Sequence, residues 1–212
     1  MTNAQKQDSI YMKIGIIIGS MQAESNSAKI ARYLSEQLTN SGPEPYILDL
    51  YQNALPMWDN SIWEGNEEWN ERLNPVNEEL KSCDGFIIIC PEYHGMAPAA
   101  LKNFFLCFGK DSLAHKPGYL VGVSSGIGGT YPIAELRMSS TKNNRLCFTP
   151  EHCIVRYADN VLNANGENDE VSDPLTRDRL NYGLAILIEY AKAMRSIRES
   201  SVVDHQSFSN GM

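Results

Sequence analysis

The sequence has no long hydrophobic run and few basic residues. Its longest apolar runs are Ile14–Ile18 and Phe86–Cys90, and both are far shorter than the ~20 apolar residues that cross a bilayer. Lysine and arginine number 18 against 26 aspartate and glutamate residues, which gives a formal charge of −8. Nucleic acids and anionic membrane surfaces both bind proteins through basic faces. The composition therefore predicts no nucleic-acid partner and no membrane partner.

Cysteine is also scarce. The five cysteines are odd in number and contain no C-x-x-C pair, a pattern typical of reduced thiols rather than of a disulfide framework. The first eleven residues lack the apolar segment and small-residue cleavage site of a secretory signal. Both observations predict a cytoplasmic protein.

Short apolar segments alternate with longer amphipathic ones, and we find no internal repeat or long linker. This alternation predicts βαβ units, and hence an α/β fold with a three-layer α/β/α, doubly wound, five-stranded parallel sheet. We expect one domain over residues 1–212, with a core at about 12–198 and polar tails at 1–11 and 199–212. The predicted helices cover Ser27–Asn40, Asn70–Ser82, a segment from Ala99, Ile133–Met138 and Pro174–Ile197. The predicted strands are Met12–Ile18, Tyr46–Leu50, Gly85–Cys90, Gly118–Ser124 and Leu146–Val155, the last of them interrupted by Pro150.

Ligands of such sheets bind beyond the carboxyl ends of the strands, which directs attention to the loops after the first, third and fourth strands. The first loop, Gly19–Ala31, collects polar side chains where a helix begins. Free N–H groups and the helix dipole make such a point an anion site. The loop fits neither the dinucleotide fingerprint nor the P-loop, and ordinary helix capping is the alternative. The polar side chains are Ser20, Ser25, Asn26 and Ser27.

The loops after the third and fourth strands also carry groups that suit a flat heterocycle. Pro91–Gly95 reads PEYHG and offers backbone amides, carbonyls and an aromatic ring, although a plain strand-to-helix turn would look similar. Ser124–Gly129 reads SSGIGG, whose glycines allow a ligand to approach the backbone closely. A flexible turn is the alternative there. What favours a site is that all three loops lie at one edge of the predicted sheet.

Together these motifs resemble the NADPH-dependent FMN reductase family of flavodoxin-like proteins, which includes azo-dye, chromate and quinone reductases. The most specific piece is PEYHG followed by ALKN at Ala100–Asn103; LPMWD at Leu55–Asp59 and the pair Leu136–Arg137 are secondary landmarks. The resemblance covers roughly Lys13 to Ile197.

The resemblance implies an FMN site and its residues. Ser20, Gln22, Ser25, Asn26 and Ser27 would hold the FMN phosphate. The ribityl chain and the edge of the ring system would lie along Pro91, Glu92, Tyr93, His94 and Gly95, and the ring site would be closed by Ser124, Ser125, Gly126 and Gly128.

One position departs from the family pattern. Many relatives have arginine where this chain has Gln22. The change removes a charge-assisted hydrogen bond worth roughly 1.5–3 kcal/mol. FMN would then depend on neutral donors and the helix terminus, with Lys29 as a nearby cation.

The resemblance implies a reductase that passes a hydride from NADPH or NADH to FMN and then reduces a small acceptor such as a quinone, azo compound, free flavin or metal oxyanion. The flavin carries the chemistry, so the sequence identifies no catalytic side chain and no metal site. His94 as a proton donor and His94 as a backbone-positioning residue both remain open. A flavodoxin-like electron carrier, which the −8 charge would suit, and a flavin-free regulatory protein are the alternative functions. The loop residues favour the reductase.

The family resemblance also implies a homodimer or homotetramer. Trp58, Trp63 and Trp69 lie in a polar segment, and exposed aromatic residues are enriched at interfaces. The segment is therefore a candidate subunit interface, with a core role for the tryptophans as the alternative. Cys90, at the end of an apolar strand, is expected to be a core thiol.

Overall fold

The structure is a computed structural model that describes residues 11–65 and 67–211. Residues 1–10 of the expected N-terminal tail lie outside this range. Five strands and six α-helices alternate along the described chain. The strands are β1 (Lys13–Ile18), β2 (Glu44–Asp49), β3 (Gly85–Pro91), β4 (Pro117–Val123) and β5 (Cys147–Val155). The helices are α1 (Asn26–Ser41), α2 (Glu67–Ser82), α3 (Ala99–Cys107), α4 (Lys110–Leu113), α5 (Thr130–Ser139) and α6 (Ser172–Arg198).

All strand pairs are parallel, and the strand order is β2–β1–β3–β4–β5. In the centre of the sheet, Ile16 of β1 pairs with Ile47 of β2 and with Ile87 of β3. The chain leaves β1 first toward β2 and later toward β3. This reversal places the topological switch point at the carboxyl end of β1, beside that of β3.

Two hydrophobic clusters cover the two faces of this sheet. Alternate side chains of a strand point to opposite faces, so Ile16 and Ile17 of β1 belong to different clusters. One cluster packs against α1 and α6, and the other packs against α2, α3 and α5. The predicted α/β/α arrangement, with a flavodoxin-like doubly wound parallel sheet, is therefore confirmed.

Several predicted boundaries were wrong by a few residues. β2 begins at Glu44 and includes Pro45, and β5 runs through Pro150 without a break. Proline is tolerated in both because β2 and β5 are the edge strands of the sheet. A register shift between Gly118 and Leu120 accommodates the irregular part of β5.

The sequence missed the first turns of two helices and three short elements. α2 and α5 each begin three residues before the predicted starts, because α2 begins with Glu67 and Glu68 and α5 with Thr130, and no apolar residue marks either start. The short elements are α4 and two 3₁₀ helices at Asn60–Glu64 and Ala158–Asn160.

Candidate active site at the carboxyl edge of the sheet

A cavity of about 360 Å³ lies at the carboxyl ends of β1, β3 and β4. It collects all the predicted site residues except His94, Gly95 and Gly128, and it adds Val123. None of its described lining residues is lysine or arginine. The lining residues are Ser20, Gln22, Ser25, Asn26, Ser27, Pro91, Glu92, Tyr93, Val123, Ser124, Ser125 and Gly126.

The serines at the start of α1 differ in what they bind. Ser25 is the N-cap, and its Oγ accepts a hydrogen bond of 3.0 Å from the Ala28 N–H. Ser27 is 1% exposed, and its Oγ finds no hydrogen-bond partner among the described residues. The capping interpretation therefore accounts for Ser25 and leaves Ser27 as a buried hydroxyl beside the free N–H groups of a helix terminus.

Tyr93 joins the first loop to the second. Its hydroxyl lies 2.9 Å from Ser20 Oγ and accepts a hydrogen bond of 3.2 Å from the Met21 N–H. Ser20 itself is buried, at 2% exposure. This contact aligns the two loops along one wall of the cavity.

Residues 93–96 form a tight turn that points His94 away from the cavity. The N–H and carbonyl groups of Tyr93 and Met96 bond to each other at 3.0 and 2.9 Å. The central residues His94 and Gly95 have φ values of 51° and 76°, as a type I′ turn requires. His94 is exposed at the tip of the turn. Its position favours the backbone-positioning interpretation over a proton donor.

Glu92 fastens the second loop to the third. Its carboxylate accepts a hydrogen bond from the Gly129 N–H, at the N-terminus of α5, where the helix dipole favours negative charge. A Cβ added at Gly128 would meet this carboxylate at 2.8 Å. The glycine is therefore needed there for the close approach of Glu92, and not to line the cavity.

Lys29 does not serve the cavity as a nearby cation. Its Nζ donates hydrogen bonds of 2.7 Å to the Ala158 carbonyl and to Asn163 Oδ1. Burial lowers the pKa of this ammonium group. The expectation for Lys29 is corrected, because tertiary contacts draw the side chain toward the loop after β5.

The loop after β5 does not line the cavity, but it holds two of the site loops in place. Asn26 Nδ2 donates a 2.7 Å hydrogen bond to Asp159 Oδ1, and Ser124 receives the Ala158 N–H on its carbonyl at 3.1 Å. No family motif marks this segment. The rule that ligands bind at the carboxyl ends of strands would have included it, since β5 ends at the same edge.

Asn103 explains why the ALKN and LPMWD motifs occur together. This residue is 5% exposed; its Oδ1 accepts from the Trp58 N–H and its Nδ2 donates to the Pro56 carbonyl, both at 2.8 Å. The amide holds residues 56–58 against α3. Arg137 makes a similar link, because its guanidinium donates to the Thr149 and Pro150 carbonyls of β5 at 2.7 and 3.1 Å.

The tryptophans divide between core and surface. Trp69 is 7% exposed and packs in the core, where its Nε1 donates to Ser61 Oγ at 2.8 Å. Trp63 is 76% exposed and lies edge-on against Trp58, with ring centroids 5.2 Å apart. The core interpretation therefore holds for Trp69, and only Trp63 offers a large exposed ring.

The thiols and acids add no further reactive group at this edge. Cys90 is fully buried, and burial raises the pKa of its thiol far above the usual range. Among residues 11–65 and 67–211, no group of three or more His, Cys, Asp or Glu side chains is placed to hold a metal ion. No described helix is both long and apolar enough to span a membrane.

The model of the NADPH-dependent FMN reductases matches residues 12–158, from β1 through the loop after β5. This chain belongs to that family. The predicted family is thereby confirmed, and the protein is a flavin-dependent oxidoreductase. The match includes all three predicted site loops and ends before α6.

Relatives of known activity support this assignment, and solved structures support the fold. FMN-dependent NADPH-azoreductases of Staphylococcus aureus are 34% identical to the chain over 128 residues, which is 60% of this chain and 68% of the relative. The flavoenzyme NAD(P)H:(acceptor) oxidoreductase FerB from Paracoccus denitrificans has a TM-score of 0.68 at 20% identity, over 86% of this chain and 98% of its own. An NADH:FMN oxidoreductase in its apo form has a TM-score of 0.64 at 15% identity, over 86% and 89%. At these identities the two structures support the fold alone.

Proposed function

We propose that this protein is an NAD(P)H-dependent FMN oxidoreductase that binds FMN in the cavity at the carboxyl edge of the sheet. Bound FMN would accept a hydride from the nicotinamide and pass two electrons to a small acceptor, such as a quinone, an azo compound, free flavin or a metal oxyanion. Family membership supports the reaction class. The donors that line the cavity support the position of the cofactor.

The single observation that carries the FMN site is the buried hydroxyl of Ser27. A polar group without a partner is unfavourable in the interior, and a phosphate oxygen at the start of α1 would accept its hydrogen bond. The free N–H groups of the helix terminus and the neutral donors around Ser27 suit the same phosphate. The residues present therefore fit the phosphate of FMN without a lysine or arginine in the cavity wall.

The other two loops would position the ring system. Tyr93 and Glu92 hold the loop after β3 against its neighbours, so the backbone from Pro91 to Tyr93 forms a fixed wall. The loop from Ser124 to Gly126 forms the opposite wall, and Ser124 Oγ accepts the Gly126 N–H at 3.2 Å. The role of this chain is thus to bind and orient, and no side chain is assigned a proton transfer.

An anaerobic titration tests the function. The purified protein is reconstituted with FMN, and the flavin absorbance is recorded while NADPH or NADH is added. Rapid loss of the absorbance to the two-electron reduced form is the expected result. Reduction only by a protein donor, with a persistent one-electron form, would indicate a carrier instead. No uptake of FMN would contradict both functions and favour a flavin-free protein.

We also propose a homodimer, or a tetramer built from it, in the cytoplasm. Large apolar side chains are exposed around the loops of the site, with exposed fractions of 57% for Met96, 75% for Ile127 and 72% for Tyr131. Trp63 adds a further exposed ring. Together these residues suit burial against a second copy of the chain, and the unpaired cysteines suit a reducing compartment.

Sedimentation equilibrium tests the oligomer. The wild type should give twice or four times the chain mass, and Tyr131→Glu should shift the equilibrium toward the monomer. Val202→Glu, which is 86% exposed in the C-terminal segment, is the matched control and should leave the mass unchanged. A monomeric wild type at all protein concentrations would contradict the proposal.

A further inference from the structure

A basic cavity of about 560 Å³ opens at the opposite edge of the sheet, where β3 and β4 begin. It lies between α4, the loop before β4 and the C-terminal segment. Its wall has one carboxylate, from Asp111, against a larger number of nitrogen-bearing side chains. In a chain of charge −8 this is a local excess of positive charge. The basic side chains of the wall are Lys81, Lys110, Lys116, Arg198, His115 and His205.

The central cations of this basic cavity are held in place. Lys116 is 6% exposed, and its Nζ donates hydrogen bonds of 2.8 and 2.9 Å to the carbonyl oxygens of Leu80 and Lys81 at the end of α2. These acceptors are backbone carbonyl groups, which do not neutralise the ammonium as a carboxylate would. Arg198 donates to the His115 carbonyl at 3.2 Å and to Asp84 at 2.8 Å.

One carboxylate is shared by two guanidinium groups behind the cavity. The carboxylate of Asp84 accepts one hydrogen bond from Arg198, at 2.8 Å, and two from Arg195, at 2.8 and 2.5 Å. It therefore neutralises only part of their charge. Lys81 is paired with the exposed Glu78 at 2.8 Å, and Lys110 has no ion pair among the described residues.

Two imidazole rings complete the wall. His115 and His205 are stacked with centroids 5.6 Å apart and an interplanar angle of 22°. The Nε2 atom of His205 is buried and has no hydrogen-bond partner in the described part of the chain. The C-terminal segment carries His205 and is attached to the body by the hydrogen bond from Arg145 to the Phe208 carbonyl. The wall is thus formed by parts of the chain far apart in sequence.

The pKa values of two basic groups in this wall, Lys116 and His115, are both lowered. Burial and the nearby Arg198 lower the pKa of Lys116 to about 8. Burial, followed by the charges of His205, Arg145 and Arg198, lowers the pKa of His115. Burial is the main cause of both shifts, and the neighbouring cations add to it in the same direction.

We propose that this basic cavity binds a small phosphorylated molecule, whose phosphate oxygens accept hydrogen bonds from Lys110, Lys116 and the two stacked histidines. Phosphate fits because it offers several acceptor oxygens and more than one negative charge to donors that converge from different directions. The cavity lies at the other end of the strands from the candidate FMN site, so this binding is independent of the proposed function.

Histidine side-chain NMR with pyrophosphate as the probe tests the proposal. The chain has four histidines, and only His115 and His205 line the basic cavity. In ¹H–¹³C spectra at constant ionic strength, the ring signals of these two should move saturably, while those of His94 and His152 stay in place. Equal movement of all four signals, no movement, or movement of His94 alone would overturn the proposal.

Two variants separate a specific site from general charge. Lys110→Gln should weaken pyrophosphate binding about threefold, as expected for a partly exposed charge contact. Lys192→Gln removes one exposed lysine of α6 that does not line the basic cavity and should leave the affinity unchanged. An equal loss in both variants, or citrate binding as tightly as pyrophosphate, would overturn the phosphate site. Circular dichroism confirms that each variant is folded.

Discussion

Two serine hydroxyls at the start of α1 have different roles although they are two residues apart. Ser25 caps the helix, whereas Ser27 is buried without a partner in the described chain. The distinction depends on which hydroxyl meets a free N–H group, and both serines look alike in the sequence. Loss of the Ser25 hydroxyl is therefore expected to reduce stability, and loss of the Ser27 hydroxyl is expected to reduce FMN binding.

Ser27→Ala should weaken FMN binding at least tenfold, roughly the loss of one hydrogen bond to a charged group. The free energy of unfolding of the FMN-free protein should not fall, because the variant removes an unsatisfied buried hydroxyl. Ser25→Ala is the control and should lower that free energy by about 1 kcal/mol. Fluorescence titration and urea denaturation measure the two quantities. A destabilised Ser27→Ala protein with normal FMN affinity would show that the hydroxyl is structural.

Gln22→Arg should tighten FMN binding by about tenfold, because a guanidinium would supply a charge-assisted bond to the phosphate. The lower end of the usual range is expected, since Gln22 is exposed. Gln37→Arg adds the same charge near the C-terminal end of α1, in the wall of a different cavity, and should leave FMN binding unchanged. Unchanged or weaker binding by Gln22→Arg would show that this position does not face the phosphate.

At the scale of elements, side-chain hydrogen bonds join the loops of the candidate site to one another. Tyr93 ties the first loop to the second, Glu92 ties the second to the third, and Asn26 reaches Asp159 after β5. Each link joins segments that leave different strands of the same sheet edge. The cavity is therefore preformed by contacts within the chain, which reduces the ordering that a ligand must impose.

Asn103→Leu should lower the free energy of unfolding by about 2 kcal/mol, because the Trp58 N–H and the Pro56 carbonyl lose a buried partner. Lys102→Gln, one position earlier on α3, breaks only a partly exposed ion pair with Glu135 and should cost less than about 1 kcal/mol. Urea denaturation of both variants provides the comparison. Equal effects would mean that the amide does not hold residues 56–58 in place.

For the whole molecule, buried thiols determine how stability changes in alkaline solution. Burial raises the pKa of Cys83 to about 12 and the pKa values of Cys107 and Cys153 to about 11. The folded chain therefore keeps these protons while the unfolded chain releases them near pH 9. The contribution of these thiols to the free energy of unfolding is fully present below pH 9 and is lost as the pH rises toward 11. Lys116 opposes this, because its pKa is lowered to about 8 and its contribution rises between about pH 8 and 10.5; the lowered pKa of Lys29 acts in the same direction.

The free energy of unfolding should accordingly fall between pH 9 and 10.5 under reducing conditions. Cys83→Ala should flatten the slope by up to about 1.4 kcal/mol per pH unit, the full effect of one proton. Cys147→Ala removes an exposed thiol and should flatten it less. Denaturation curves at several pH values measure the slopes, and stability that increases throughout this range would contradict the assignment. A single cooperative transition is also expected, since we propose that the chain is one domain.

The local features of the fold could be predicted from the sequence because each depends on nearby residues. The apolar runs specify buried parallel strands, and the serine-rich start of α1 specifies a helix terminus. Edge strands are an exception: Pro45 and Pro150 have no N–H group to donate and look like strand breakers. The sheet order places them on the two edge strands, where one side of the strand needs no partner. Helix α4 was missed because its four residues are too few to show a helical period, and the early starts of α2 and α5 were missed because neither helix begins with an apolar residue.

By itself the sequence determined the fold class, the family and most of the cavity lining, because these depend on periodicity and on motifs that lie at strand ends. Only the tertiary structure decided what each polar side chain does. In the folded chain, Lys29 binds the loop after β5, His94 lies at the tip of a turn, and Glu92 accepts a hydrogen bond at the N-terminus of α5. The tertiary structure also brought His205 against His115 to form the basic cavity. These positions depend on contacts between residues far apart in the sequence, and a local sequence pattern carries no information about such contacts.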